Sequence, residues 1–137
     1  MIYGMICYIL SLALILTFSM LYIFRSSFMP YHRDAVNCQW HEVDIRMQKL
    51  LLALMNALGI AWLSWLFFCV YLLIILLSGP VLIWQLATFQ SLYLLSAMAP
   101  VYVAIRLRMQ TGAKTPVAGG VIAAVLSVLG FVCILLS

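Results

Sequence analysis

The sequence predicts an all-α integral membrane protein, a bundle of four transmembrane helices that forms one transmembrane domain over residues 1–137. Hydrophobic residues make up 68% of the chain and charged residues only 7%, with a mean hydropathy of +1.22. A soluble domain has roughly 25% charged residues. The apolar residues also form four runs, each long enough for a spanning helix, which needs ~20 residues. Lipid is therefore predicted to be the solvent for most of this chain.

The first apolar run predicts a helix over about 3–24, which ends before Arg25. No Lys or Arg precedes this run, so a retained helix is favoured over a cleaved secretory signal peptide. Pro30 then removes a backbone donor and biases Met29 away from helical geometry. Residues 29–41 are therefore predicted to be irregular and to lie at the membrane surface.

The second helix is predicted over about 46–77, entered through a short amphipathic turn near Glu42. At 1.5 Å per residue, the stretch 42–77 would be about 50 Å long, which exceeds the ~30 Å hydrocarbon core. Its first turns should therefore project out of the core or bend along the surface. The uncharged turn Ser78-Gly79-Pro80 ends this helix, because Gly and Pro interrupt helices strongly.

The third helix is predicted over about 81–105, and Pro100 is expected to kink it near its far end. A fourth helix over about 117–136 is predicted from its start signal. Thr115 offers a capping hydroxyl, and Pro116 follows at the first helical position.

The distribution of charge predicts the orientation of the bundle. All seven Lys and Arg residues follow the first or the third predicted helix, and both termini have none. The positive-inside rule then places the loops 25–49 and 106–116 in the cytoplasm and both termini in the periplasm. The basic residues form no continuous face, so the net charge of +4 does not indicate a nucleic-acid partner.

The loop 25–49 is the only extended polar segment, and it contains every acidic residue and both histidines. His32, Asp34, His41 and Glu42 are residue types that bind zinc or similar ions. Their spacing matches no ligand pattern, so a solvated loop whose charges pair locally is favoured. A metal-binding or enzymatic loop at His32 and His41 stays an alternative, although no nucleophile signature accompanies the histidines. No cofactor is predicted.

Polar side chains within the spans are few. Asn56 and Gln90 are predicted to form hydrogen bonds between helices. No ionisable group lies between the helix ends, which argues against a proton-coupled transporter. Trp62 and Trp65 lie three residues apart on one helix face, which indicates inward packing or a lipophilic ligand such as a quinone or a lipid tail. A small transporter or lipophilic-ligand-binding bundle is therefore an alternative function.

Small residues recur every four positions on two helices and predict close packing of helix backbones. Bundle assembly is the favoured role, with homo-oligomerisation through the fourth helix as the alternative. The four cysteines include no Cys-x-x-Cys pair, so buried apolar side chains are favoured over redox or zinc chemistry. A disulfide between Cys7 and Cys133, predicted at similar depth, is an alternative. The small residues are Ala53, Ala57 and Ala61 on the second helix, and Gly119, Ala123 and Ser127 on the fourth.

Several short stretches resemble small bacterial inner-membrane proteins of unknown function. These are Phe28-Met-Pro-Tyr-His32, Trp40, Gln48-Lys-Leu-Leu-Leu-Ala53 and Thr111-Gly-Ala-Lys-Thr-Pro116. The resemblance implies four helices and a bacterial inner-membrane location, and it implies no activity. The predicted function is a non-enzymatic structural or interaction role, with the lipid bilayer and a second copy or another membrane protein as partners.

Overall fold

A computed structural model describes all 137 residues, and it contains helices and no strand. Five α-helices and one 3-10 turn follow each other along the chain. The helices are α1 (Ile2–Ile23), α2 (Pro30–Val36), α3 (Ile45–Leu77), α4 (Ile83–Thr111) and α5 (Val117–Leu135), and the 3-10 turn is Trp40–Glu42.

The four long helices, α1, α3, α4 and α5, are each long and apolar enough to cross a membrane. The predicted fold class, an all-α bundle of four transmembrane helices, is thus confirmed, and the chain is a multi-pass membrane protein. The main difference in bounds is at the end of α4, which reaches Thr111 rather than 105. Gly112 ends it in the left-handed conformation, with φ of 74°, which glycine adopts at little cost. Arg106 and Arg108 therefore lie on the last turns of α4.

Two local predictions were wrong. The segment 29–41 is largely helical rather than irregular, because Pro30 occupies the first position of α2, where a missing N–H is no loss. Thr115 does not cap α5, because its hydroxyl donates to the Ala104 carbonyl oxygen on α4 at 3.0 Å. Pro116 takes the N-cap position instead, and α5 starts at Val117.

The packing order of the long helices is α3, α1, α5, α4. The backbones of α3 and α4 hardly touch, although side chains of both helices belong to one hydrophobic core. Small residues allow the close contacts in this order. Gly4 on α1 faces Gly130 on α5, and a Cβ built at Gly4 would lie 2.8 Å from the Gly130 carbonyl oxygen. Gly59 on α3 faces α1, where a Cβ would lie 3.0 Å from the Ser19 carbonyl oxygen. The bundle thus has two tight crossings and one open side.

We call the end of the bundle that holds all seven basic residues the basic end, and the opposite end the neutral end. Gly59 packs against Ile23, the last residue of α1. Residues 45–58 of α3 therefore extend beyond α1 at the basic end, for about 20 Å at 1.5 Å per residue. This extension forms one wall of the open side.

The predicted small-residue repeats have different positions in the bundle. On α5, Ala123 and Ser127 are buried and Gly119 faces the Phe18 ring of α1. On α3, the alanine repeat lies exposed on the outer face, so it brings no helix of this chain close. Gly59, rather than this repeat, provides the close approach of α3 to α1. The exposed alanines are Ala53, Ala57 and Ala61.

Candidate functional site

An apolar cleft of about 670 Å³ occupies the open side between α3 and α4. Of the 24 residues that line it, 19 are hydrophobic, and none carries a carboxylate, an ammonium or a guanidinium group. Sites for small molecules typically enclose about 300–1,000 Å³ and are lined mainly by apolar side chains. The cleft is therefore a candidate binding site for a lipophilic molecule.

The walls of the cleft run along the helix axes for about 15 Å, at 1.5 Å per residue. The α3 wall extends from Leu51 to Trp62, and the α4 wall from Ala97 to Leu107. α1 and α5 form the floor, which includes Gly119 and Gly120. Because α3 and α4 hardly touch, the cleft opens sideways, in the direction from which lipid would approach.

Helix α2 covers the basic end of the cleft with its apolar face. Phe28, just before α2, lines the cleft together with Tyr31, His32 and Ala35 of the helix. Ala35 follows the other two helical residues by four and three positions, so all three lie on one side of α2. Arg33 and Asp34 lie on the opposite side of α2, where they form an exposed ion pair. The segment around α2 is thus amphipathic, with its apolar side over the cleft and its charged side toward solvent.

Hydrogen bonds hold α2 in this position. The hydroxyls of Tyr22 on α1 and Tyr31 on α2 share a hydrogen bond, and Arg25 Nη2 donates to the Phe28 carbonyl oxygen at 3.0 Å. The His32 ring lies with its centroid 4.3 Å from that of Tyr31. The mouth of the cleft, which we define as Tyr22, Arg25, Tyr31 and His32, therefore combines uncharged hydrogen-bonding groups with one cation.

The charge state of the mouth follows from its partial burial. Desolvation, together with the nearby positive charge of Arg25, lowers the pKa of His32 from its ordinary value. Its imidazole is therefore neutral at pH 7 and offers one donor and one acceptor. Burial and the hydrogen bond with Tyr22 raise the pKa of Tyr31, which stays protonated. Arg25 is thus the only charged member of the mouth.

A buried hydrogen-bond network lies beyond the inner end of the cleft and joins three helices. Tyr8 on α1 donates to Gln90 Oε1 on α4 at 2.7 Å, and Gln90 Nε2 donates to Ser127 Oγ on α5 at 3.1 Å. Ser11 donates to the Ala123 carbonyl oxygen at 2.6 Å and shares a second bond of 2.6 Å with a tyrosine, Tyr93. Such interhelical bonds contribute about 0.6 kcal/mol each on average. They fix the relative positions of α1, α4 and α5, which form the floor and one wall of the cleft.

The structure separates the four candidate metal ligands, whose pattern favours a solvated loop over a metal site. His32 lies in the mouth of the cleft, whereas Asp34 forms an exposed ion pair with Arg33 at 3.7 Å. Glu42 accepts a hydrogen bond from the Gln39 backbone N–H at 2.7 Å, and His41 is exposed on the same turn. No group of three or more His, Cys, Asp or Glu side chains is placed to share a metal ion. Asp34 and Glu42 thus serve local pairing and capping.

The residues predicted to lie inside the bundle are found in different environments. Gln90 is buried in the network, but Asn56 lies exposed on α3, on the same side as the alanine repeat. Trp62 lines the cleft, while Trp65 packs beside the hydrophobic core and its buried indole N–H has no partner. The four cysteines, including Cys7 and Cys133, are free thiols.

Sequence reasoning missed Tyr8, Ser11, Tyr93 and the tyrosine pair at the mouth. A signal existed for some of them. Ser11 and Ser19 are two of the three Ser and Thr hydroxyls in the apolar α1, and both are fully buried. The helical spacing of the apolar residues in 31–36 also indicates α2, although Pro30 by itself predicts a helix break.

A smaller cavity of about 430 Å³ lies between α1 and α3 near the neutral end. Eight of its nine lining residues are hydrophobic, and they include Met5 and Leu77. No charged residue lies at that end of the bundle, so the cavity lacks the polar mouth of the larger cleft.

Comparisons with models of protein families, with curated proteins and with solved structures found no significant match to this chain. Function is therefore inferred from the cleft and its mouth.

Proposed function

We propose that this protein is a non-enzymatic, multi-pass membrane protein that binds one lipophilic molecule in the cleft between α3 and α4. The single observation that carries the proposal is the 670 Å³ apolar cleft, which opens sideways and has its polar groups at one end. This distribution suits an amphiphile with an apolar body and a polar head. The interaction role predicted first has no comparable feature, so the lipophilic-ligand alternative is favoured.

No constellation for catalysis accompanies the cleft. Its only titratable lining groups are Tyr22, Tyr31 and His32, and the two tyrosines hydrogen-bond to each other rather than to the histidine. A general base needs a nucleophile or a substrate proton within hydrogen-bond reach. Binding, carriage or presentation of the ligand is therefore the proposed role.

Filling the cleft should abolish binding. Ala104 is half-buried and lines the α4 wall, so Ala104→Trp places an indole in the cleft while the backbone carbonyl that binds Thr115 stays. Ala99 is exposed on the same helix and does not line the cleft, so Ala99→Trp is the matched control. Native mass spectrometry in mild detergent should show bound lipophile on the wild type and on A99W, and none on A104W. Equal retention by folded A104W and wild type would contradict the proposal.

We infer that the membrane is a bacterial inner membrane with the basic end in the cytoplasm. The support is the resemblance to small bacterial membrane proteins and the presence of all seven basic residues at one end. A fluorescent protein that matures only in the cytoplasm, fused after Ser137, is expected to remain dark in this orientation. The same reporter fused within the loop 112–116 should fluoresce, and the reverse pattern would exclude the orientation.

A further inference from the structure

We propose that the occupant of the cleft is an anionic phospholipid, whose phosphate lies at the mouth beside Arg25 and whose acyl chain fills the space between α3 and α4. This inference rests on the proposed function and names its ligand. Three observations support it: most cations at the basic end have no carboxylate partner, Arg25 lies beside the cleft, and the cleft opens between α3 and α4.

The basic end carries a positive charge that the protein does not neutralise. It holds seven Lys and Arg residues and only three Asp and Glu residues. All three carboxylates are already engaged: Asp34 pairs with Arg33, Glu42 accepts from the Gln39 N–H, and Asp44 caps α3 by accepting from the Arg46 N–H at 2.9 Å. Arg33 is the only cation in a salt bridge. The remaining six cations therefore have no carboxylate partner.

The positive-inside rule explains why cations collect at this end, but it does not explain their position around the cleft. Arg25 Nη2 lies 3.0 Å from the carbonyl oxygen of Phe28, which lines the cleft. Arg108 directly follows Leu107, and Lys114 lies two residues before Pro116, and both Leu107 and Pro116 line the cleft. Arg25 is thus the cation that the structure places against a lining residue of the cleft, and no acidic residue lines the cleft.

Arg25 is suited to hold a phosphate. One guanidinium nitrogen, Nη2, donates to the Phe28 carbonyl oxygen, which fixes the side chain and leaves other N–H donors free. Guanidinium groups bind phosphate oxygens with two parallel hydrogen bonds. The neutral His32 and the Tyr22 and Tyr31 hydroxyls add uncharged hydrogen-bonding groups at the mouth.

The length of the cleft along the helix axes indicates where the acyl chain would lie. From the mouth, the apolar walls run for about 15 Å toward the buried network. The cleft is open to the side between α3 and α4, so a lipid of the surrounding leaflet can enter without crossing the polar surface. An amphiphile in this orientation has its charge at the basic end and its tail in the hydrocarbon layer.

The test compares lipid retention after exchange of the full-length protein into two kinds of vesicle, phosphatidylcholine alone and phosphatidylcholine with a minority of phosphatidylglycerol. After extraction in mild detergent, native mass spectrometry identifies the bound lipid. Wild type should retain phosphatidylglycerol in clear excess over its share of the vesicle. Arg25→Gln should reduce this enrichment by about fivefold, the effect of one basic residue on attraction to anionic lipid.

Two further variants separate charge from structure. Arg25→Lys keeps the cation but not the two parallel hydrogen bonds, so its enrichment should lie between those of R25Q and wild type. Arg33→Gln removes a cation that faces away from the cleft and should not change the enrichment. Loss of enrichment in R25K equal to that in R25Q would overturn the inference, because the hydrogen bond to Phe28 would then be the cause. Retention of both lipids in the vesicle's own ratio by wild type would also overturn it, while leaving the cleft as a lipid site. Absence of any retained lipid, or equal retention by A104W, would overturn the proposed function as well.

Discussion

Replacement of Gly130 by leucine is expected to lower the free energy of unfolding of the bundle by about 3 kcal/mol, at the upper end of the usual effect of overpacking. A Cβ at position 130 would lie 3.0 Å from the Gly4 carbonyl oxygen and 2.9 Å from the Tyr8 ring. The carbonyl belongs to the α1 backbone and cannot rotate away. The Tyr8 ring cannot move freely either, because its hydroxyl holds Gln90. The substitution should therefore separate α1 from α5 and disrupt the buried network together.

Reversible unfolding in mixed micelles, titrated with a denaturing detergent, measures this loss. Ala118 is exposed on the same helix, so Ala118→Leu is the matched control and should change the free energy of unfolding by no more than about 0.5 kcal/mol. If G130L unfolds at the same detergent fraction as A118L, the close crossing of α1 and α5 is incorrect.

Replacement of Gly59 by leucine is expected to detach α3 and open the cleft, at a cost of about 2 kcal/mol. A Cβ there would lie 3.0 Å from both the Ile23 backbone nitrogen and the Ser19 carbonyl oxygen of α1. The backbone of α3 approaches α1 far more than it approaches α4, so α1 is the main element that holds it. The cleft should then lose its α3 wall and its ligand, while α1, α4 and α5 remain joined by the network.

The reactivity of the Cys69 thiol measures this detachment of α3. Cys69 lies on α3 and is fully buried, so in a protein whose other cysteines are replaced by alanine it should react slowly with a membrane-permeant maleimide. In G59L the reaction should approach the rate for the unfolded protein. Ala57→Leu adds the same side chain on the exposed outer face of α3 and should leave the rate unchanged. Equal protection of Cys69 in G59L and A57L would show that α3 is held by some other contact.

The contrast between Gly59 and Ala57 shows that the sequence did not reveal which face of α3 packs against another helix. The repeat of Ala53, Ala57 and Ala61 satisfied the rule for close helix packing as well as any segment of the chain, yet it faces outward. In water, a helix shows its buried side by its apolar residues. In lipid, both sides of α3 are apolar, and small residues show only which faces permit contact. A single glycine on the other face decided the packing of α3.

Gln90 and Asn56 show that the environment of a polar residue in a span was equally unpredictable from the sequence. Both are amides within predicted spans, and the sequence offered no reason to separate them. Gln90 meets Tyr8 and Ser127, which come from helices distant in the chain, whereas Asn56 lies on the exposed outer face of α3. Whether an amide finds a partner depends on how α1, α4 and α5 are arranged, and this arrangement has no local signal.

The sequence by itself determined the four spans, their order along the chain and the collection of all charges at one end, because each depends on local hydropathy and on residues adjacent in the chain. Only the tertiary structure decided that α1 and α5 form the centre, that α3 and α4 hardly touch, and that α2 covers the cleft between them. The physical reason is that lipid solvates every apolar helix face almost equally. The choice of neighbours then depends on steric fit and buried hydrogen bonds between residues far apart in the chain. The cleft, and with it the proposed site for an anionic lipid, is a consequence of that choice.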